Sequence, residues 1–315
     1  MTDPLDPRRP LPAALQARAL RSGARIGIAA PAGVVDPDRL EAGELALRAL
    51  GFEPVRRGDL TDRSGYLAGE DERRAAELSE LVAAPDIDAI ICARGGYGSS
   101  RLLDNLDPDA FRRARKPLVG YSDITSLLLW QWKKAGLMGI HGPMLEREGG
   151  FPDEMGASLR GALMGGSRPA PMCGRPGIPG RSEGRFLGGS LTLVTASLGT
   201  SWEIDTRAGI LLLEEVGEPP YRIDRMLEQL RAAGKLEGVV GVGVGSLEGC
   251  SDERYPERDA ETVLREFLAP LNVPVVFELP FGHGPRNLSW PFGALGAIDG
   301  DRGELELLES AVAVG

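Results

Sequence analysis

Ser122 is the residue in this chain whose setting most resembles that of a nucleophile. A short apolar run, Leu118-Val119, leads through Gly120 and Tyr121 to Ser122 and Asp123, and an amphipathic stretch follows from Ile124. That order reads as strand, sharp turn, helix. A serine on such a turn stands clear of the backbone, where the helix N-terminus stabilises developing negative charge. Taken alone, the stretch is better explained by Ser122 or Asp123 capping the helix. Ile124 also stands where the G-x-S-x-G elbow has its second glycine. A serine hydroxyl needs a base, and the chain has 2 histidines, His141 and His283. His283 sits between Gly282 and Gly284, in a loop rather than in a core segment. His141 ends an apolar run before Gly142-Pro143, which suits a structural role. A third group must orient the base. Glu214 and Glu215 directly follow the apolar Leu211-Leu212-Leu213, where a buried carboxylate needs a partner such as a histidine. The other explanation is an exposed strand end near Arg222 and Arg225.

Other chemistries fit less well. Gly95-Gly96-Tyr97-Gly98 follows a strand-like run, but it lacks the Gly-Lys-Ser/Thr ending of a P-loop and the third glycine of a dinucleotide fingerprint. Gly241, Gly243 and Gly245 do not complete that fingerprint either. A glycine amide beside Ser122 could instead donate to an oxyanion. No H-E-x-x-H or close histidine pair is present, so neither a metal nor another cofactor is expected. The formal net charge of -10 argues against nucleic acid or an anionic membrane as partner. Cys92, Cys173 and Cys250 are far apart and form no C-x-x-C, which suits a reducing compartment. No apolar run approaches the roughly 18 residues of a membrane helix, and Met1 to Arg21 has no secretory core. A cytoplasmic protein is expected.

The elements that must position these residues alternate. Arg25–Ala30 reads as a buried strand, Asp36-Pro37 opens a helix that Gly51 stops, and Phe52–Arg57 is a second strand. Ala68–Ala84 reads as a helix and Ile87–Ala93 as a strand running into Arg94. The Ser122 strand and its helix come next, then Leu137–His141. This pattern implies an α/β fold with a doubly wound, mostly parallel N-terminal sheet of flavodoxin-like or amidotransferase-like type. Ligands bind at the carboxyl ends of such strands, where the Arg94 loop, the Ser122 turn and His141 all fall. Residues 1–23 are expected to be a poorly ordered or surface lead, 24–164 the N-terminal domain and 165–184 a Gly/Pro-rich linker. Residues 185–315 are expected to form a smaller C-terminal α/β domain richer in β, with an amphipathic helix over Tyr221–Ala233 and a hairpin at Asp299-Gly300-Asp301.

Together these segments resemble the LD-carboxypeptidase family of serine peptidases, which includes the microcin-immunity peptidases. The resemblance rests on Arg94-Gly95-Gly96-Tyr97-Gly98, Gly120-Tyr121-Ser122-Asp123, His141-Gly142-Pro143, Leu187-Gly188-Gly189-Ser190, Gly282-His283-Gly284 and the run from Leu213 to Arg225. It implies a triad shared between two domains, with Ser122 as nucleophile, His283 as general base and then acid, and Glu214 orienting it. Glu214 is preferred to Glu215 because it matches the family's glutamate. The implied oxyanion hole uses the amides of Gly96 and Asp123. The implied substrate is a murein tetrapeptide that loses its C-terminal D-alanine in cytoplasmic cell-wall recycling, and a homodimer is implied as well. A terminal carboxylate calls for an arginine, and Arg94 and Arg222 are the candidates. Two other readings remain. One is a microcin-immunity-type peptidase acting on an aminoacyl-nucleotide, with Trp202 or Trp290 stacking on the base. The other is a non-catalytic two-domain protein that binds a small ligand.

Overall fold

The structure, a computed structural model, describes residues 11, 13–147, 150–166 and 169–313. It divides into two compact units. One comprises Ala14–Pro169, Leu288–Phe292 and Ser310–Gly315; the other is formed by Ala170–Asn287 and Gly293–Glu309. Most of the expected lead, residues 1–10 and 12, lies outside the described residues. Within 13–23, Ala17–Arg18 is tied down, pairing in parallel with Val312–Ala313.

The N-terminal unit holds a six-stranded sheet in the order Trp290–Phe292, Gly139–His141, Leu118–Gly120, Ala89–Cys92, Arg25–Ala29, Glu53–Arg56. Every pairing is parallel except that of Trp290–Phe292 with Gly139–His141. Counted from Arg25–Ala29, the parallel strands run 2-1-3-4-5, the flavodoxin-like order. Asp36 caps the first helix, Pro37–Ala49, by accepting from the amides of Asp38 and Arg39, and Pro37 fills the first turn where no N–H is needed. The sheet is buried on both faces, so its strands read as continuous apolar runs. Ile26, Ile28, Ile91, Val119 and Ile140 form one core with Leu40 and Leu47 of the first helix and Leu159 and Leu163 of helix Asp153–Met164.

The second unit holds an eight-stranded mixed sheet. Arg181–Ser190, Gly209–Val216, Gly241–Glu248 and Val275–Phe277 run parallel at its centre. Antiparallel strands flank them, including the hairpin Leu295–Asp299 with Glu304–Leu307. Helix Pro220–Ala232 buries Ile223, Leu227 and Leu230, as its spacing predicts.

Two stretches differ from the sequence reading. The 165–184 stretch is not merely a linker, because Met172–Cys173, Arg175–Ile178 and the start of Arg181–Ser190 are strands in it. Its glycines allow close approach: a Cβ on Gly174 would stand 2.2 Å from the Phe277 carbonyl oxygen. The segment Leu288–Phe292, expected within the C-terminal domain, belongs to the N-terminal unit, where Trp290 pairs with His141. The ladder and the buried Trp290, Phe292 and His141 side chains hold it there. Among the described residues no helix is long and apolar enough to cross a membrane.

Candidate active site

One residue, Tyr121, separates the strand Leu118–Gly120 from Ser122, which opens a 3-10 turn, Ser122–Ile124, that runs into helix Thr125–Trp130. Its φ is 59°, in the left-handed region, which costs a non-glycine residue about 1–3 kcal/mol and clusters at functional sites. The turn is packed tightly from outside. A Cβ on Gly95 would stand 2.9 Å from Ser122 Cβ, 3.0 Å from Ser122 Oγ and 3.3 Å from the Asp123 amide nitrogen. Glycine is therefore required at 95 for the Arg94–Gly98 loop to lie against the serine. Gly96, at φ 102°, faces Gly33 instead: a Cβ on Gly96 would stand 3.3 Å from the Gly33 Cα.

Asp123 does not cap its own helix. Its Oδ2 accepts the Ser99 amide at 2.8 Å, and the Ser99 hydroxyl donates back to the Asp123 carbonyl at 2.8 Å. This reciprocal pair ties the Ser122 turn to the residue that follows the Gly-rich loop. His141 is fully buried, stacked on Trp290 at 4.7 Å, with Tyr121 edge-on at 5.8 Å. It supports the residue before Ser122, in line with the structural role expected of it.

In the other unit Glu214 and His283 meet, with Glu214 Oε2 2.7 Å from His283 Nδ1. The glutamate is wholly buried and the histidine 19% exposed, so the pair is well shielded from screening by water. The strand carrying Glu214 has a register shift against Gly241–Glu248 between Leu213 and Glu215, a bulge of the kind that re-aims side chains beside active sites. Glu214 and Glu215 take different partners. Glu215 Oε2 accepts the Thr192 amide in the first turn of helix Leu191–Ala196, and Oε1 accepts the Val216 amide. Burial raises the Glu215 pKa above the usual carboxylate range despite these bonds. The reading of this pair as an exposed strand end therefore fails, because both carboxylates are buried.

The His283 loop is held by residues that the sequence reading did not single out. Gly282 donates its amide to Asn287 Oδ1 at 3.1 Å, Gly284 donates to Ser246 Oγ at 2.9 Å, and the Ser246 amide donates to the Phe281 carbonyl at 2.9 Å. A Cβ on Gly282 (φ 105°) would stand 2.6 Å from Ser246 Oγ and 2.8 Å from Glu214 Oε2, so this position also demands glycine. The signals available were a polar residue ending a Gly/Val strand and an asparagine closing a Gly/Pro loop.

The two arginine candidates are placed differently. Arg222 is exposed on the first turn of helix Pro220–Ala232, bonded to Glu218 and to the Tyr221 hydroxyl. Arg94 lies in the Gly-rich loop, donating to the Val34 carbonyl and paired with Glu146. Trp202 and Trp290, the candidates for base stacking, are both buried, at 8% and 0% exposed.

A left-handed serine beside a glycine turn, and a histidine held through Nδ1 by a buried carboxylate, are parts from which serine hydrolases are built. Comparison with known proteins names the group. The LD-carboxypeptidase N-terminal domain matches residues 26–142 and the LD-carboxypeptidase C-terminal domain matches residues 183–298, and the chain belongs to the LD-carboxypeptidase family. It is a serine-type carboxypeptidase, a hydrolase, and the non-catalytic binding alternative falls. The murein tetrapeptide carboxypeptidase of Pseudomonas aeruginosa is 35% identical over 290 residues, covering 88% of this chain and 94% of that protein. The structure of muramoyltetrapeptide carboxypeptidase from Oxalobacter formigenes matches with a TM-score of 0.81 at 28% identity, covering 90% of this chain and 98% of that one. The microcin C7 self-immunity protein MccF of Escherichia coli is 29% identical over 336 residues, covering 94% of this chain and 96% of that protein. A structure of MccF in complex with glutamyl sulfamoyl guanosine matches with a TM-score of 0.86 at 27% identity, covering 95% and 100%.

Proposed function

We propose that this enzyme removes the C-terminal D-alanine of murein tetrapeptides by cleaving an L–D peptide bond, acting in the cytoplasm on cell-wall fragments and working as a homodimer. The observation that carries the catalytic assignment is the 2.7 Å contact between buried Glu214 and His283 Nδ1. It leaves Nε2 as the nitrogen that takes a proton. In this reading Ser122 Oγ attacks the scissile carbonyl as His283 Nε2 takes its proton. The amides of Asp123 and Gly96 hold the oxyanion, an effect worth about 3–4 kcal/mol per donor in known enzymes. The C–N bond breaks as His283 returns the proton to the departing amine. Water, deprotonated by His283, then releases the acyl group from Ser122. The substrate assignment is supported by the likeness to the Pseudomonas murein tetrapeptide carboxypeptidase.

Incubation with murein tetrapeptide is expected to release D-alanine, and the epimer ending in L-alanine is expected to be spared. An enzyme that leaves the tetrapeptide intact overturns this reading. The high TM-score to MccF supports a second reading, an immunity-type hydrolase of aminoacyl-nucleotides. The burial of Trp202 and Trp290 counts against the stacking surface expected for it. Hydrolysis of a processed microcin-type aminoacyl-nucleotide, with the tetrapeptide untouched, would put that reading first.

A further inference from the structure

Between Arg25–Ala29 and Ala89–Cys92 the strand order of the N-terminal sheet reverses, and open α/β sheets bind ligands at such a point. The loops leaving these two strands are tied by the Gly33 amide donating to the Gly95 carbonyl at 3.0 Å. A cavity of about 630 Å3 lies beside them, lined by Val34, Arg63, Tyr66, Arg94, Gly96 and Tyr97. Arg63 is exposed, and the Tyr66 and Tyr97 rings touch at 5.8 Å while remaining 68% and 49% exposed.

Arg94 is gripped on two sides. Its Nη1 donates to the Val34 carbonyl at 2.8 Å, and its Nε lies 3.2 Å from Glu146 Oε2. Glu146 is 5% exposed, and its Oε1 accepts the Asp36 amide at 3.1 Å. Burial raises the Glu146 pKa, and the Arg94 charge and the Asp36 amide work against that rise. Nη2 of Arg94 has no protein partner among the described residues. It lies 3.7 Å from where a Cβ on Gly96 would stand, while a Cβ on the neighbouring Gly95 would stand 3.0 Å from Ser122 Oγ. The guanidinium and the proposed nucleophile thus approach the same two-glycine turn.

Resting on the carboxypeptidase reading, the geometry points to Arg94 as the residue that binds the free C-terminal carboxylate of the substrate, with Glu146 as the positioning residue that aims it. A guanidinium held at Nε by Glu146 and at Nη1 by Val34 leaves Nη2 for a ligand, and its planar, delocalised charge suits a carboxylate. Fixing it in advance reduces the side-chain ordering lost on binding. A role confined to stapling the Val34 loop would lower stability and would affect all substrates alike. Arg222 lies on an exposed helix turn, its Nη1 donating to Glu218 and its Nε to the neighbouring Tyr221 hydroxyl.

The test compares an L–D peptide ending in free D-alanine with the same peptide ending in D-alaninamide, each as kcat/KM, for wild type, Arg94→Met, Arg94→Lys, Glu146→Gln and Arg222→Met. The wild type is expected to prefer the acid strongly. In Arg94→Met the acid-over-amide ratio should fall by about 100-fold, with KM for the acid rising, because a charged partner is lost. Arg94→Lys should recover part of the ratio, and Glu146→Gln should lower it by about 10-fold with the arginine still present. If Arg94→Met does not fold, the near-isosteric Glu146→Gln carries the test. A wild type that takes both peptides equally overturns the proposal. So does an unchanged ratio in Arg94→Met, or a ratio that falls in Arg222→Met instead. A wild type inactive on both peptides overturns the carboxypeptidase reading and this assignment with it, a result recognised from the wild-type rates alone.

Discussion

The Ser122 turn and the His283 loop each fix a side chain that the proposed mechanism makes reactive, by different physical means. Ser122 is set by backbone. It occupies a left-handed conformation between a buried strand and a helix, and Gly95 presses against it so closely that no side chain fits. His283 is set by side chains. Glu214 holds its ring, while Ser246 and Asn287 hold the peptides on either side through their amides. The first arrangement places an atom; the second places an atom and also selects its tautomer. A nucleophile needs position, whereas a base needs position and the right proton.

The largest effects should come from the base. His283→Ala is expected to lower kcat by about 10^4 or more, as in other triads, and Glu214→Gln by about 10^2 to 10^4, because the amide can favour the wrong tautomer. Steady-state kinetics on an L–D peptide checks both. Turnover of Glu214→Gln within threefold of wild type would break the claim that this carboxylate, and not Glu215, serves the ring. Next comes Gly95→Ala. Its Cβ would meet Ser122 Cβ at 2.9 Å, and displacing the serine by a fraction of an ångström is expected to cost about 10^2 in kcat/KM. A fully active Gly95→Ala enzyme would show that the turn is not set by backbone contact.

A smaller effect tests the strain itself. Ser122→Gly is expected to be more stable than Ser122→Ala by about 1 kcal/mol in denaturant melts, since glycine accepts φ 59° without penalty and alanine does not. Equal stability would deny the strain. The smallest concerns Glu215. Its folded-state pKa is raised by burial, so the folded protein holds the proton more tightly than the unfolded chain. The stability of wild type relative to Glu215→Gln should therefore be highest below the usual carboxylate pKa of about 4.3 and decline as pH rises through the folded-state value. Melts from pH 4 upward check this, and a difference that grows with pH would contradict it.

Much of this was legible in the sequence where local chemistry governs. Asp36-Pro37 announces its helix, the apolar runs announce their strands, and Ser122 just past a strand, Glu214 after an apolar run and His283 in a Gly/Pro loop stand out by type. The choice between Glu214 and Glu215 is different in kind. Adjacent residues on a strand point to opposite faces, and a bulge decides what each face meets, which no local pattern shows. Trp290 illustrates the same limit: its segment returns to the N-terminal sheet across a long sequence separation, guided by ladder bonds and burial. Asp123 looked like a helix cap because capping is local, yet its carboxylate reaches back to Ser99. Glu146, Ser246 and Asn287 escaped notice for a related reason. Each acts by holding backbone or a charge that is distant in sequence.

The central claim is that Ser122 is the nucleophile of this carboxypeptidase. It is tested most directly by D-alanine release from murein tetrapeptide, wild type beside a Ser122→Ala variant of matching circular dichroism. The account predicts steady release by the wild type and a loss of about 10^4 or more in the variant. Release by Ser122→Ala at a rate comparable to wild type would contradict it.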